Sequence, residues 1–211
     1  MKIALVAATG KIGRQIAQQA IARGHEVTAV VRRDTDLPPE LAGARLVIAP
    51  LDDHDALVAA IRGNDVLASA YGPAPGAEAT LSEIADDLIA AARDAGIRRL
   101  IVVGGAGSLE LAPGVQLVDT PDFPAAYKPV ALAHRDALKR YQAADDLDWT
   151  FYSPAAHIGP GEKRGVFRSQ ANAFLADADG NSAISYADYA DAFVGEIEQP
   201  KYPKNIATVA Y

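Results

Sequence analysis

With 211 residues, half of them hydrophobic, the chain is long enough to bury a sizeable core, and residues 1–211 are expected to form one domain. Twenty Lys and Arg against 27 Asp and Glu give a net charge of -7, which argues against nucleic acid or an anionic membrane as the main partner, since both select basic surfaces. Cysteine is absent and the four histidines show no metal-ligand spacing, so no disulfide, thiolate nucleophile or metal site is expected.

Ile3, Leu5 and Val6 supply a nearly uncharged, β-rich run of the kind that a parallel strand buried on both faces requires. Thr9-Gly10 punctuates it, and Ile12, Ile16, Ala17, Ala20 and Ile21 then recur at helical spacing up to Gly24. In a strand, tight turn and helix, free backbone N–H groups and the positive end of the helix dipole face whatever lies over the turn, a site for a pyrophosphate. The spacing matches G-x-x-G-x-x-G with Ala7 first, Gly10 second and Gly13 third, so the first glycine is missing. Ala7, Thr9, Gly10, Lys11, Ile12 and Gly13 are the expected cradle; a tight turn without a ligand is the bland alternative. No apolar run approaches the roughly 18 residues of a membrane span. The short run after Lys2 passes straight into the helical pattern, so a cytoplasmic protein is expected.

Glu26 to Val31 reads as a second strand ending at Arg32-Arg33-Asp34. Arg32 stands 19 residues beyond Gly13, where an NAD-selective protein carries an Asp or Glu for the ribose 2′-hydroxyl. A guanidinium there suits a 2′-phosphate, which favours NADP(H) over NAD(H); a solvated basic loop is the alternative. Residues 35–44 read as a loop and 45–49 as a third strand. Beyond it, Leu51 could pack on an adenine ring and Asp52 accept from its amino group, unless Asp52 or Asp53 simply caps the helix beginning near His54.

That helix, 54–62, closes at Gly63, and Asp65 to Ser69 is a fourth strand. Loops at the carboxyl ends of parallel strands line the ligand cleft, so Ala70 and Tyr71, in the Gly- and Pro-rich loop 70–76, are expected near a nicotinamide. A long helix carrying Leu81, Ile84, Ala85, Leu88, Ile89 and Ala92 ends at Gly96. The strand Arg98 to Val103 then runs into Gly104-Gly105-Ala106-Gly107-Ser108. Such crowding of small residues suits a flat ligand group passing close to the backbone, with Ser108 offering a hydrogen bond. Residues 109–128 read as a polar, proline-containing excursion, a lid or a substrate wall. Helix 129–144 follows, with Pro129 in its first turn. A sixth strand, Trp149 to Tyr152, leads into Ser153-Pro154-Ala155-Ala156-His157-Ile158-Gly159, opening a second excursion, 153–184, whose part 160–184 is irregular with a small hairpin. Ser185-Tyr186-Ala187-Asp188 makes a capping box for a helix through Glu198, and Ile206 to Ala210 adds a last strand. The fold class expected is α/β: a doubly wound, mainly parallel Rossmann sheet with helices on both faces and a small irregular C-terminal region on the substrate side.

Taken together, Ala7-Ala8-Thr9-Gly10-Lys11-Ile12-Gly13, Val30-Val31-Arg32, Val102-Val103-Gly104-Gly105-Ala106-Gly107-Ser108, Ser153-Pro154-Ala155 and Ile184-Ser185-Tyr186-Ala187-Asp188-Tyr189-Ala190 resemble the atypical short-chain dehydrogenase/reductase family. The branch is that of NAD(P)H-flavin reductases and biliverdin-reductase-B-like proteins, and the resemblance spans essentially the whole chain. It implies a Rossmann domain holding NADP(H) by the turn at 7–13 and by Arg32. It also implies that the loops after strands four, five and six, Ser153 and Pro154 included, surround the nicotinamide. His157-Ile158-Gly159 looks like the His-Ile-Gly of the biliverdin reductase B branch, where the histidine lies beside the substrate pocket.

The departure concerns the catalytic Tyr-x-x-x-Lys of the wider family, in which the ammonium one helical turn away favours the phenolate during proton exchange. None of the eight tyrosines has Lys four residues later. Tyr127 is nearest the expected place, with Ala131 where the lysine would stand, which leaves Ser108, Tyr127 and His157 as candidate catalytic residues. A flavin, quinone or similar planar acceptor can take hydride at an electron-poor ring atom and its proton from water, so no Tyr-Lys pair is needed. The expected activity is therefore NADPH-dependent reduction of such an acceptor. The alternatives are a non-catalytic dinucleotide-sensing protein, as in NmrA-like regulators, and an epimerase or dehydratase on a nucleotide-sugar, for which the proton-transfer pair is missing. The tail and the 109–128 excursion could serve a homodimer.

Overall fold

A computed structural model describes residues 1–36 and 38–211. The expected loop over 35–44 includes Leu37, which lies outside the described residues; beyond it a 3-10 turn occupies Pro39–Leu41.

Eight strands form the central sheet: β1 (Lys2–Val6), β2 (Glu26–Val31), β3 (Arg45–Ile48), β4 (Val66–Ser69), β5 (Arg99–Val103), β8 (Asp148–Pro154), β10 (Arg168–Ala171) and β12 (Asn205–Ala210), in the order β10-β12-β8-β5-β4-β1-β2-β3. All pairs are parallel except β10 with β12. Alternation along each strand sends side chains to opposite faces. Ala4, Val6, Leu67, Leu100, Val102 and Phe151 join one core; Ile3, Leu5, Val66, Ala68, Ile101 and Tyr152 join the other. Helices α2 (His54–Ile61), α3 (Thr80–Ala95) and α4 (Lys128–Ala143) cover the first face, and α1 (Lys11–Ala22) and α5 (Tyr186–Glu198) the second. Coverage on both sides explains why these strands read as continuous apolar runs.

The chain winds from β1 outward through β2 to β3, then returns to β4 and proceeds through β5 and β8 to β12 on the other side. The reversal between β1 and β4 is the topological switch point, and parallel strands put the loops after β1, β2, β3, β4, β5 and β8 on one edge, where ligands of such sheets bind.

The two excursions differ from expectation in where the small hairpin lies and in where the second excursion starts. The small hairpin lies inside 109–128, as β6 (Glu110–Ala112) and β7 (Val115–Gln116), where Gly114 supplies a turn residue at φ 76. Within 160–184 there is no such hairpin among the described residues: β10 is an edge strand on β12, and β11 (Ala183–Ser185) pairs in parallel with β9 (His157–Gly159). Strand β8 also runs two residues further than expected, so that Ser153 and Pro154 are strand residues facing Thr208 and Val209 of β12.

Candidate functional site

The turn after β1 is built by one close approach. Ala7 adopts φ 56, the left-handed conformation a glycine would take more readily, and its carbonyl accepts from the Gly10 N–H at 3.1 Å. That carbonyl points across the turn at α1: a Cβ on Gly13 would fall 2.2 Å from the Ala7 oxygen. Helix α1 has no side-chain cap at Gly10 and no acidic residue in its first turn. The N–H groups of Lys11, Ile12 and Gly13 thus have no intrahelical partner and face the edge of the sheet with the positive end of the dipole, which fits a pyrophosphate. Gly10 is exposed at the rim and Thr9 half-buried beside it, open to a phosphate.

Around this turn the sheet brings the expected residues to the same edge. Arg32 follows β2 directly and is exposed, and no carboxylate lies within ion-pair distance of it among the described residues. Asp53, not Asp52, caps α2, its carboxylate accepting from the Ala56 N–H at 3.0 Å. Asp52 is left exposed and uncommitted to the cap beside the half-buried Leu51. Ala70 is tied back to β1, its N–H donating to the Val6 carbonyl at 3.1 Å. Tyr71 is half-buried against the α3 side of the core, and its hydroxyl shares a hydrogen bond of 2.8 Å with Thr80 Oγ1.

Beyond β5 and β8 the edge opens into a cavity of about 1000 Å³. Its floor is made of small residues, Gly105, Ala106 and Gly107 on one side and Pro154, Ala155 and Ala156 on the other. The 109–128 excursion forms a wall through Leu111, Leu117, Phe123 and Tyr127, and the segment after β9 forms another through Pro160, Gly161, Glu162 and Arg164. The glycines are required by neighbours rather than by φ. A Cβ on Gly104 would lie 2.4 Å from the Phe151 ring, one on Gly105 2.9 Å from His134 Cγ, and one on Gly107 2.8 Å from Ala131 Cβ.

The three candidate catalytic residues part company here. Tyr127 and His157 both line the cavity and both are exposed, Tyr127 by 65%. Ser108 is not on the wall: its Oγ is buried with no hydrogen-bond partner. Ser153 is buried too, and donates its hydroxyl to the Gly105 carbonyl at 3.1 Å, pinning the glycine loop to β8. Pro154 does line the cavity, and Gly104 lies buried between β5 and that loop.

His134, which carries no signal in the sequence, lines the cavity behind Gly105. Tyr127, the residue before α4, and Val130, Ala131 and His134 on it line the cavity together. The position two turns beyond Tyr127 is thus a histidine, where a Tyr-x-x-x-Lys search looks one turn on. The His134 ring meets Phe151 edge-on at 6.1 Å and its Nδ1 is buried without a partner. Burial pushes its pKa down to about 4, so the imidazole is neutral near pH 7. It also borders a small space of about 20 Å³ shared with Tyr71 and Tyr141.

Residues 7–200 match the family model described as NAD(P)H-binding. The chain belongs to this NAD(P)H-binding family. Within it, the uncharacterised protein YwnB of Bacillus subtilis is 40% identical over 212 residues, covering 99% of this chain and 98% of that protein. A solved structure from Burkholderia pseudomallei, named "putative exported protein", is 51% identical, with a TM-score of 0.94 and full coverage of both chains. Another from Streptococcus pneumoniae, SP1627, named "a putative NADH-flavin reductase", is 34% identical with a TM-score of 0.90, covering 100% of this chain and 99% of that one. The resemblance to atypical short-chain dehydrogenase/reductase proteins holds as an NAD(P)H-binding Rossmann fold. No helix of the described residues is long and apolar enough to cross a membrane.

Proposed function

We propose that this NAD(P)H-binding protein is an NADPH-dependent reductase of a planar acceptor, a flavin or a quinone-like ring. The observation that carries the reading is the cavity at the carboxyl ends of β5 and β8: its floor is small residues that a flat ring can approach closely, and its wall holds no Tyr-Lys pair. SP1627, similar along its whole length, lends support through its name.

Bound NADPH supplies a hydride from its dihydronicotinamide ring. The chain's part is placement. The turn at 7–13 would hold the pyrophosphate, Arg32 the 2′-phosphate, and Leu51 and Asp52 the adenine side. The glycine loop, pinned by Ser153, and the Pro154–Ala156 segment would set the rings face to face and exclude water from between them. Neutral His134, at the back of the glycine loop, keeps that floor uncharged. The open, Tyr127- and His157-lined side would admit the water that supplies the proton accompanying hydride to the acceptor ring.

Steady-state NADPH oxidation with a panel of FMN, riboflavin and menadione tests the reading. Turnover above the uncatalysed rate with at least one of them is expected. Stoichiometric NADP(H) binding with no oxidation by any acceptor would leave a dinucleotide sensor instead.

A further inference from the structure

Arg164 is a cation of the cavity wall without an ion-pair partner among the described residues. Its guanidinium carbon lies 3.9 Å from the centroid of the Tyr211 ring. Stacking holds a planar cation by its face and leaves its N–H edges directed outward. The neighbouring basic groups are engaged: Lys163 bonds Asp191 at 2.7 Å and Gln19 at 3.1 Å, and Arg23 bonds Asp191 and Glu198, each at 2.6 Å. Arg164 has no carboxylate within ion-pair distance among the described residues, although Glu162 and Asp122 line the same cavity.

The stack is anchored from beneath. Asp188, with no exposed surface, accepts from the Tyr211 hydroxyl at 2.7 Å and from the backbone N–H groups of Arg164 and Gly165 at 2.9 and 2.8 Å. One carboxylate therefore fixes both the aromatic platform and the backbone of the guanidinium lying on it. A cation placed in advance gives up little freedom when it takes an oxyanion, so its hydrogen bonds appear as affinity.

We propose that Arg164 is the anion-recognising residue of the acceptor pocket, and that the planar acceptor carries a phosphate or carboxylate substituent. The ring lies on the Gly105–Gly107 and Pro154–Ala156 floor, and the anionic arm reaches the free edge of Arg164 on the facing wall. This rests on the reductase reading and names its substrate class.

FMN and riboflavin share one ring system and differ in the 5′-phosphate, so they isolate the Arg164 contact. Quenching of flavin fluorescence, measured on protein saturated with NADP+ so that the nucleotide's own phosphates are already placed, gives both affinities without turnover. FMN is expected to bind at least about tenfold more tightly than riboflavin. Arg164→Gln should bring that ratio close to one, and Arg164→Lys should restore part of it. Equal affinities in the natural protein, a ratio unchanged by Arg164→Gln, or binding of neither flavin overturns the proposal. Failure of the reductase reading has a different signature: the FMN preference persists while NADPH is not consumed.

Discussion

The Ala7 carbonyl oxygen lies 2.2 Å from the point that a Cβ on Gly13 would occupy. Strand β1 and helix α1 therefore touch backbone to backbone at the turn, and the third glycine of the motif is fixed by packing. Gly13→Ala must push α1 away from β1 or twist Ala7 further, and overpacking of this kind costs about 3 kcal/mol. Thermal unfolding should show the loss, and added NADPH should no longer raise the melting temperature. Ala7→Gly, which relieves a side chain at φ 56, should retain the NADPH-dependent rise.

Arg32 has no ion-pair partner among the described residues and sits at the end of β2, where the ribose of a dinucleotide is read. Arg32→Glu should weaken NADPH binding by about 30- to 100-fold, the value of losing a charge-assisted contact and adding repulsion, while NADH binding changes little. Calorimetric titration with each nucleotide measures it. Equal losses for both would remove the 2′-phosphate role.

Much of this arrangement is visible in the residues themselves, for a physical reason. β1, β2, β4, β5 and β8 are buried on both faces, so burial writes itself into the sequence as apolar runs, and the glycines after β1 and β5 stand where a Cβ would strike the Ala7 backbone or the Phe151, His134 and Ala131 side chains. β10, Arg-Ser-Gln-Ala, is an exposed or half-buried edge and carries no such signal. Asp188 reads locally as a helix cap, and Ser185 Oγ does accept from its N–H at 3.1 Å. Its other partners, Arg164, Gly165 and Tyr211, lie 23 or 24 residues away, and the Ser185 N–H goes to the Tyr211 hydroxyl rather than completing the box. His134 occupies an ordinary position in an amphipathic helix; only the packing of α4 on the Gly105 loop singles it out.

His134 makes a pH prediction with a definite sign. Burial lowers its pKa from 6.5 to about 4, so between those values the unfolded chain binds the extra proton and the folded chain does not. Its contribution to stability is therefore complete above pH 6.5 and is lost as pH falls toward 4. The stability difference between the natural protein and His134→Leu, followed by denaturant unfolding, should fall by on the order of 2 to 3 kcal/mol across that window and be flat above it.

Tyr127 lies on the cavity rim with no lysine one turn along the helix. Tyr127→Phe removes a hydroxyl that no ammonium activates, so kcat for flavin reduction should stay within about threefold of the natural value. Loss of two orders of magnitude or more, the scale of a general acid, would assign it proton transfer.

Ser153 Oγ donates to the Gly105 carbonyl at 3.1 Å and thereby sets the height of the cavity floor. Ser153→Ala takes that hydrogen bond from the half-buried Gly105 carbonyl, which keeps the longer one from the Ser108 N–H at 3.3 Å, and the loss costs about 0.5 to 1.5 kcal/mol. Loosening the floor should also lower kcat more than it raises the KM for NADPH, and the two constants measured together separate this from a binding defect.

In the proposed reaction a bound dinucleotide and a planar acceptor meet over the Gly105–Gly107 and Pro154–Ala156 floor. Mixing NADPH-loaded protein with FMN in the absence of oxygen, and following nicotinamide and flavin absorbance in one turnover, tests it most directly. The account predicts stoichiometric loss of NADPH matched by reduced flavin, at a rate well above that of the free reactants. Bound NADPH that persists unchanged beside FMN, with the rate no faster than without protein, would contradict it.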